Sequence, residues 1–89
     1  MITFRVEWSA RAQKQLKKLD KTISELILRW VFKNLDGCEN PRQHGKALTA
    51  NRTGQWRYRV GDYRLIAEIH EEEIVILILS VGHRKEIYD

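Results

Sequence analysis

Residues 56–69 read Trp56-Arg57-Tyr58-Arg59-Val60-Gly61-Asp62-Tyr63-Arg64-Leu65-Ile66-Ala67-Glu68-Ile69. Gly61-Asp62 is a two-residue turn with glycine in its first central position, as a type II′ hairpin prefers because that position needs a positive φ. A loop of that length places Val60 opposite Tyr63, Arg59 opposite Arg64 and Arg57 opposite Ile66. Side chains alternate along a strand, so Trp56, Tyr58 and Val60 share one face of the hairpin. Arg57, Arg59 and Arg64 stand together on the other. Like charges opposed across strands are destabilising, and a fold tolerates them more easily when an anion fits between them. The planar fork of arginine grips phosphate in two places. The plainer alternative is a solvated sheet face whose arginines pair with Glu68 and Glu86, since surface ion pairs are common and weak.

Downstream, Glu71-Glu72-Glu73 is a polar turn into the unbroken apolar run Ile74–Leu79. Such a run predicts a central strand covered on both faces. Upstream, residues 2–8 alternate, with Ile2, Phe4, Val6 and Trp8 on one side and Thr3, Arg5 and Glu7 on the other, a period of two that predicts a strand. Ser9 has the chemistry of a helix N-cap. From Ala10 to about Leu35 the period lengthens, and Leu16, Leu19, Ile23, Leu26, Ile27, Trp30, Val31 and Leu35 form a helical apolar stripe. Lys14, Lys17, Lys18 and Lys21 lie off it. Leu19-Asp20-Lys21 predicts a break into a helix hairpin, a single bent helix being the alternative. Asp36-Gly37 ends the helical region, with glycine free to take the left-handed C-cap conformation. Residues 37–54 read as a long loop, uncommon in a small domain and often functional. The order is β-α-α-β-β-β, with no internal repeat.

The 89 residues predict a single domain over residues 1–89. A content of 43% hydrophobic and 31% charged residues is that of a globular chain. The net charge of +4 and a pI near 9.5 point to a polyanion or an acidic partner. Cys38, alone of its kind, forms no internal disulfide, and no zinc-type spacing of cysteine and histidine exists. The N-terminus, Met-Ile-Thr-Phe-Arg, has no signal-peptide core, and Ile74–Leu79 is far too short to span a bilayer. A soluble, cytoplasmic protein without membrane partners is the expectation.

Between Asn40 and Gly61 there is no Asp or Glu, while Arg42, Lys46, Arg52, Arg57 and Arg59 all fall there. The C-terminal stretch Ser80-Val81-Gly82-His83-Arg84-Lys85-Glu86-Ile87-Tyr88-Asp89 concentrates polar groups at the end of the apolar strand. A free histidine, with a pKa of about 6.5, suits proton transfer near neutrality, which singles out His83. Arg84 can stabilise charge developing on phosphorus. Tyr88 can hydrogen-bond or stack on an unpaired base. A polar tail with an incidental histidine is the alternative. His44 sits in the basic loop with nothing in the sequence to fix it, and His70 lies in an acidic turn. No phosphate-cradling glycine motif, metal-ligand spacing or nucleophile elbow is present.

Gly45-Lys46-Ala47-Leu48, the Trp56–Arg64 stretch, Ser80-Val81-Gly82-His83-Arg84 and Tyr88 together resemble the RelE/ParE toxin superfamily, and the opening strand and helical pair fit it too. The resemblance covers essentially the whole chain. It implies an α+β, microbial RNase-like fold, a small antiparallel sheet with a helix hairpin on one face. For a RelE-like member it implies a ribosome-dependent mRNA endoribonuclease. The messenger's own 2′-hydroxyl attacks the adjacent phosphate in the A site of the 70S ribosome, leaving a 2′,3′-cyclic phosphate, with no metal or other cofactor. It also implies a cognate antitoxin, expected to be acidic and partly disordered, through which alone the toxin reaches operator DNA.

By position, Arg57 and Arg59 match basic substrate-contacting strand residues that are often lysines. Arg64 matches the arginine on the scissile phosphate, Arg84 a second catalytic arginine, and Tyr88 a tyrosine that orients the substrate. Lys46 and Arg52 add phosphate contacts from the loop. Arginine does not deprotonate usefully in proteins, so the acid/base role passes to His83. The spacing from Arg84 to Tyr88 is shorter than in RelE, and the chain ends where RelE continues into a helix. A rival reading with the same fold is a ParE-like, non-catalytic inhibitor of DNA gyrase, and a third is a degenerate corepressor. The apolar helix stripe reads as core, with uncovered apolar edges left to receive the antitoxin.

Overall fold

The computed structural model describes residues 2–49 and 53–85. Its elements follow as β1 (Arg5–Trp8), α1 (Ala10–Lys18), α2 (Lys21–Asn34), β2 (Lys46–Ala47), β3 (Trp56–Val60), β4 (Tyr63–His70) and β5 (Val75–His83). They form one five-stranded sheet in the order β1-β5-β4-β3-β2. The pairs β5–β4, β4–β3 and β3–β2 are antiparallel, but β1 runs parallel to β5, so the sheet is mixed rather than wholly antiparallel. A parallel partner cannot be reached by a tight turn; here the helices and the other strands lie between the two in sequence.

The helix hairpin forms where the sequence breaks. Leu19 is extended (ψ 155°), and the Asp20 carboxylate accepts the Thr22 N–H at 3.1 Å as the N-cap of α2. Gly37 adopts φ +84° just past the end of α2. Ala12, Ile27, Val31 and Leu35 pack with Tyr58, Val60, Leu65, Ile76 and Ile78 in one core, so both helices cover a single face of the sheet. Fully burying an aliphatic side chain such as Ile27, Ile76 or Ile78 is worth about 1.5–3 kcal/mol.

Several details depart from the sequence reading, and β2 itself forms inside residues 37–54, which read as loop. The opening strand is shorter than 2–8: Ile2 is 65% exposed, and Phe4 bonds to the turn after α2 instead, through Phe4 N–H to Cys38 O (2.8 Å) and Gly37 N–H to Phe4 O (2.7 Å). The helical stripe is narrower, with Leu26 50% exposed. The last strand is internal, but Leu77 and Leu79 are only half-buried because the helices cover the other face. Ile74 belongs to the turn before it, at φ +57°, a rare conformation for a β-branched residue. No helix among the described residues is long and apolar enough to cross a membrane.

Beyond Ile78, which is the partner of Trp8, β1 no longer lines the edge of β5, and the start of α1 takes over. Ser9 N–H donates to Ile78 O (2.9 Å), the Ser9 hydroxyl donates to Leu79 O (2.8 Å), and Val81 N–H donates to the Gln15 amide oxygen (2.7 Å). Backbone groups that a strand would have satisfied are thus satisfied by the N-cap residue and by a helix side chain. The Ser9 oxygen also accepts the Ala12 N–H at 3.0 Å, capping α1. Ser9→Ala removes both bonds and should cost about 1–2 kcal/mol in urea unfolding, whereas Ser9→Thr, which keeps the hydroxyl, should cost far less.

Candidate nucleic-acid interface

The hairpin has the register its turn demands, with Val60 opposite Tyr63, Arg59 opposite Arg64 and Arg57 opposite Ile66. On the outer side Lys46 of β2 pairs with Arg57. Directly opposed residues share a sheet face, so Lys46, Arg57, Arg59 and Arg64 project from the face that the helices leave open. Gly82 lies opposite Arg64 and brings no side chain to the group.

Arg84 joins from the turn after β5. Its N–H donates to Asp62 O at 2.8 Å, and its guanidinium lies 3.9 Å from the Asp62 carboxylate. Desolvation, then the charges of Arg59, Arg57 and Arg84, hold the Arg64 guanidinium below the usual arginine range, with Asp62 opposing them. The four arginines therefore act on one another as a cluster. Arg64 Nη1 is tethered to the carbonyls of Gly61 and Tyr63, each at 3.2 Å.

The nearby acids are mostly engaged elsewhere. Glu68 pairs with His70 at 3.0 Å, and Glu71 pairs with Arg42. Arg42 also lies over the Trp56 ring, 5.9 Å from its centroid, so this basic-loop residue fastens the loop to the sheet. Glu86 lies outside the described residues, as do the expected site residues Arg52 and Tyr88.

His83 is placed differently from the arginines. It pairs with Tyr63, and the two rings meet edge-on at 5.4 Å. Tyr63 packs against the helix-side core, so alternation sets His83 on the face opposite Arg64. Its Nδ1 accepts the Lys85 N–H at 3.2 Å, which tethers the turn that carries Arg84. The structure thus brings Lys46, Arg57, Arg59, Arg64 and Arg84 to one side and leaves His83 behind them.

Two residues outside the expected site lie beside the cluster. Trp30 and His44 line a cleft of about 340 Å³ together with Gly45, Lys46, Arg57 and Arg59. Trp30 read as core from its place in the stripe, and His44 had no visible anchor. The anchor is tertiary: the Trp56 indole N–H donates to His44 O at 2.6 Å, and Tyr58 OH donates to Pro41 O at 2.6 Å. Burial holds the Tyr58 phenol well above its ordinary range, so it stays a donor. Gly45 sits at φ +82°, and a Cβ there would come within 2.1 Å of Arg57 O, so glycine alone lets β2 close on β3. Among the described residues no cluster of His, Cys, Asp and Glu could hold a metal ion.

Residues 6–88 match the family model for the ParE toxin of the type II toxin-antitoxin system, parDE. The sequence is 32% identical over 85 residues to Toxin RelG of Mycobacterium tuberculosis (strain ATCC 25618 / H37Rv), spanning 96% of this chain and 95% of that protein. Among solved structures, the toxin-antitoxin complex RelBE2 from Mycobacterium tuberculosis contains a chain that superposes with a TM-score of 0.85 at 31% identity, over 94% of each chain. A chain of the archaeal RelE-RelB complex from Pyrococcus horikoshii OT3 gives a TM-score of 0.71 at 28% identity, over 96% of this chain and 99% of that one. With near-complete coverage in sequence and in fold, the chain belongs to the RelE/ParE superfamily as a RelE-like toxin of the type II toxin–antitoxin class.

Proposed function

We propose that this toxin is a ribosome-dependent endoribonuclease that cuts mRNA in the A site. The observation that carries this reading is the cluster of Arg57, Arg59, Arg64 and Arg84 on the open sheet face, with Lys46 beside it. A phosphodiester between these side chains would meet donors fixed before it arrives, which is the arrangement that stabilises charge developing in a transition state. In the reaction the messenger's 2′-oxygen forms a bond to phosphorus, and the bond to the 5′-oxygen breaks. The 2′-hydroxyl proton leaves to water, and the departing 5′-oxygen gains one. Guanidinium groups stay charged throughout, so their work is to hold the phosphate in line and to stabilise the oxyanions. Tyr88 keeps the substrate-orienting role that its position in the family pattern implies, and Arg52 the phosphate contact expected of the basic loop.

His83 takes a different role in this reading. Facing away from Arg64, it acts through the backbone of Lys85 to set the turn that presents Arg84. The same observation favours a second reading, since binding without chemistry needs no acid or base beside the cations: a ParE-like inhibitor that engages DNA gyrase.

The neutralising partner is an antitoxin. The solved relatives at 31% and 28% identity are toxin–antitoxin complexes. An apolar groove of about 400 Å³ runs between α2 and β1, lined by Val6, Trp8, Leu28, Val31 and Phe32. Phe32 is 75% exposed, and β1 is an edge strand. An amphipathic antitoxin segment with acidic flanks would cover that groove and complement the net charge of +4.

Primer extension on mRNA translated in a purified system should show discrete A-site cuts, and Arg64→Ala should slow them by about 10²–10³-fold. Intact mRNA together with inhibited supercoiling would favour the gyrase reading instead. In thermal melts at low ionic strength, Arg64→Gln should raise Tm by roughly 1–6 °C by relieving like-charge repulsion, and the gain should shrink in molar salt. Phe32→Glu should weaken antitoxin capture at least about tenfold in a pull-down titration while leaving mRNA cutting intact.

A further inference from the structure

The cleft beside the arginine cluster has the build of a second subsite. Its walls combine two rings, Trp30 and His44, with three cations, Lys46, Arg57 and Arg59. The rings meet edge-on, 5.7 Å between centroids, and Trp30 also leans on Tyr58 at 5.9 Å. Among the described residues β2 pairs only with Trp56 and Arg57, so the outer edge of β3 beyond Arg57 has no partner strand where the cleft opens. The wall formed by residues 44–46 is fixed from below: the His44 carbonyl is held by Trp56, and Gly45 is pressed against Arg57 O. These anchors use backbone groups, which leaves the His44 imidazole and the Lys46 ammonium to a ligand.

We propose that this cleft is a nucleotide subsite that receives one unstacked base of single-stranded RNA, next to the nucleotide whose phosphate lies among the arginines. This rests on the RNA-cutting reading and adds to it the residues that choose the neighbouring base. A base is flat, apolar on its faces and polar at its edge, and unpaired bases are recognised by aromatic faces flanked by hydrogen-bonding groups. Trp30 supplies the apolar surface, the imidazole of His44 reads an edge, and Lys46 neutralises the attached phosphate. Arg57 and Arg59 belong to both cleft and cluster, so adjacent phosphates of one strand can be followed from one to the other without a break in charge.

The test is a titration of the full chain with a 2′-deoxy trinucleotide, which offers no internal nucleophile, followed by NMR of the Trp30 indole N–H and the His44 ring. Both resonances should shift saturably. His44→Ala, which keeps the anchoring carbonyl, should weaken binding about tenfold. Trp30→Phe, which keeps a ring against Tyr58, should weaken it less and change which base is preferred. In parallel, A-site cut positions on a translated mRNA should redistribute among sequences in His44→Ala. Shifts confined to the arginine side chains, with cut positions unchanged in His44→Ala, would overturn the subsite and leave the endoribonuclease standing. Shifts at Trp30 and His44 with no mRNA cutting would support the cleft as a nucleotide site while ending the cutting reading. Saturation of these resonances by an acidic peptide, with none by the trinucleotide, would overturn the proposal in favour of a protein contact.

Discussion

The hydrogen bonds that β5 makes along both of its edges set where the other elements lie. Its pairing with β4 in one direction and with β1 in the other makes it an internal strand, and its inward residues Ile76 and Ile78 have no exposed surface. Where β1 stops, Ser9 and Gln15 satisfy the backbone of β5 and so fix the start of α1 over the sheet. The pairing between β4 and β5 shifts by one residue between Ile66 and Ala67, an irregularity of the kind that re-aims side chains next to functional sites. Beyond it lie Arg64, Gly82 and the turn with Arg84. The two ends of the basic site, one from the hairpin and one from the last strand, meet because β5 carries both registers.

That meeting is unfavourable for the isolated fold. Desolvation and the charges of Arg59, Arg57 and Arg84 all bear on the Arg64 guanidinium, and the one acid beside it, Asp62, lies 3.9 Å from Arg84. Proteins keep such local conflicts where function needs them, with rigidity supplied elsewhere. Here it comes from the Tyr58–Pro41 and Trp56–His44 hydrogen bonds, which tie the loop before β2 to β3 on the side away from the arginines. The glycine at 45 serves the same end, because only a residue without Cβ lets β2 approach the backbone of Arg57. The groove between α2 and β1 lies apart from this cluster in its lining residues. An antitoxin seated there and RNA held by the arginines would therefore use different side chains.

Much of this was legible in the chain itself. The period of two in residues 56–69, the Gly61-Asp62 turn, the capping chemistry of Ser9 and Gly37 and the break at Leu19-Asp20-Lys21 are local signals, and local signals are what a sequence carries most directly. The hairpin register followed from the turn alone, so the grouping of Arg57, Arg59 and Arg64 needed no tertiary information. Leu26 and Ile2 were misplaced because an apolar residue one position off a stripe, or at a chain end, has the same local pattern as a core residue.

By itself, then, the sequence determined the α+β class, a break or bend of the helical region at Leu19-Asp20-Lys21, the arginine face of the hairpin and the superfamily resemblance, all of which rest on spacing within a few residues or on motifs. Only the tertiary structure decided that β1 runs parallel to β5, that a two-residue strand forms at Lys46–Ala47, that Arg84 joins the cluster while His83 turns away, and that Trp30 meets His44 across a cleft. The physical reason is shared by all four. Each depends on which backbone edge meets which across a long stretch of chain, and with a side-chain period of two, one residue of register decides which face every later side chain occupies.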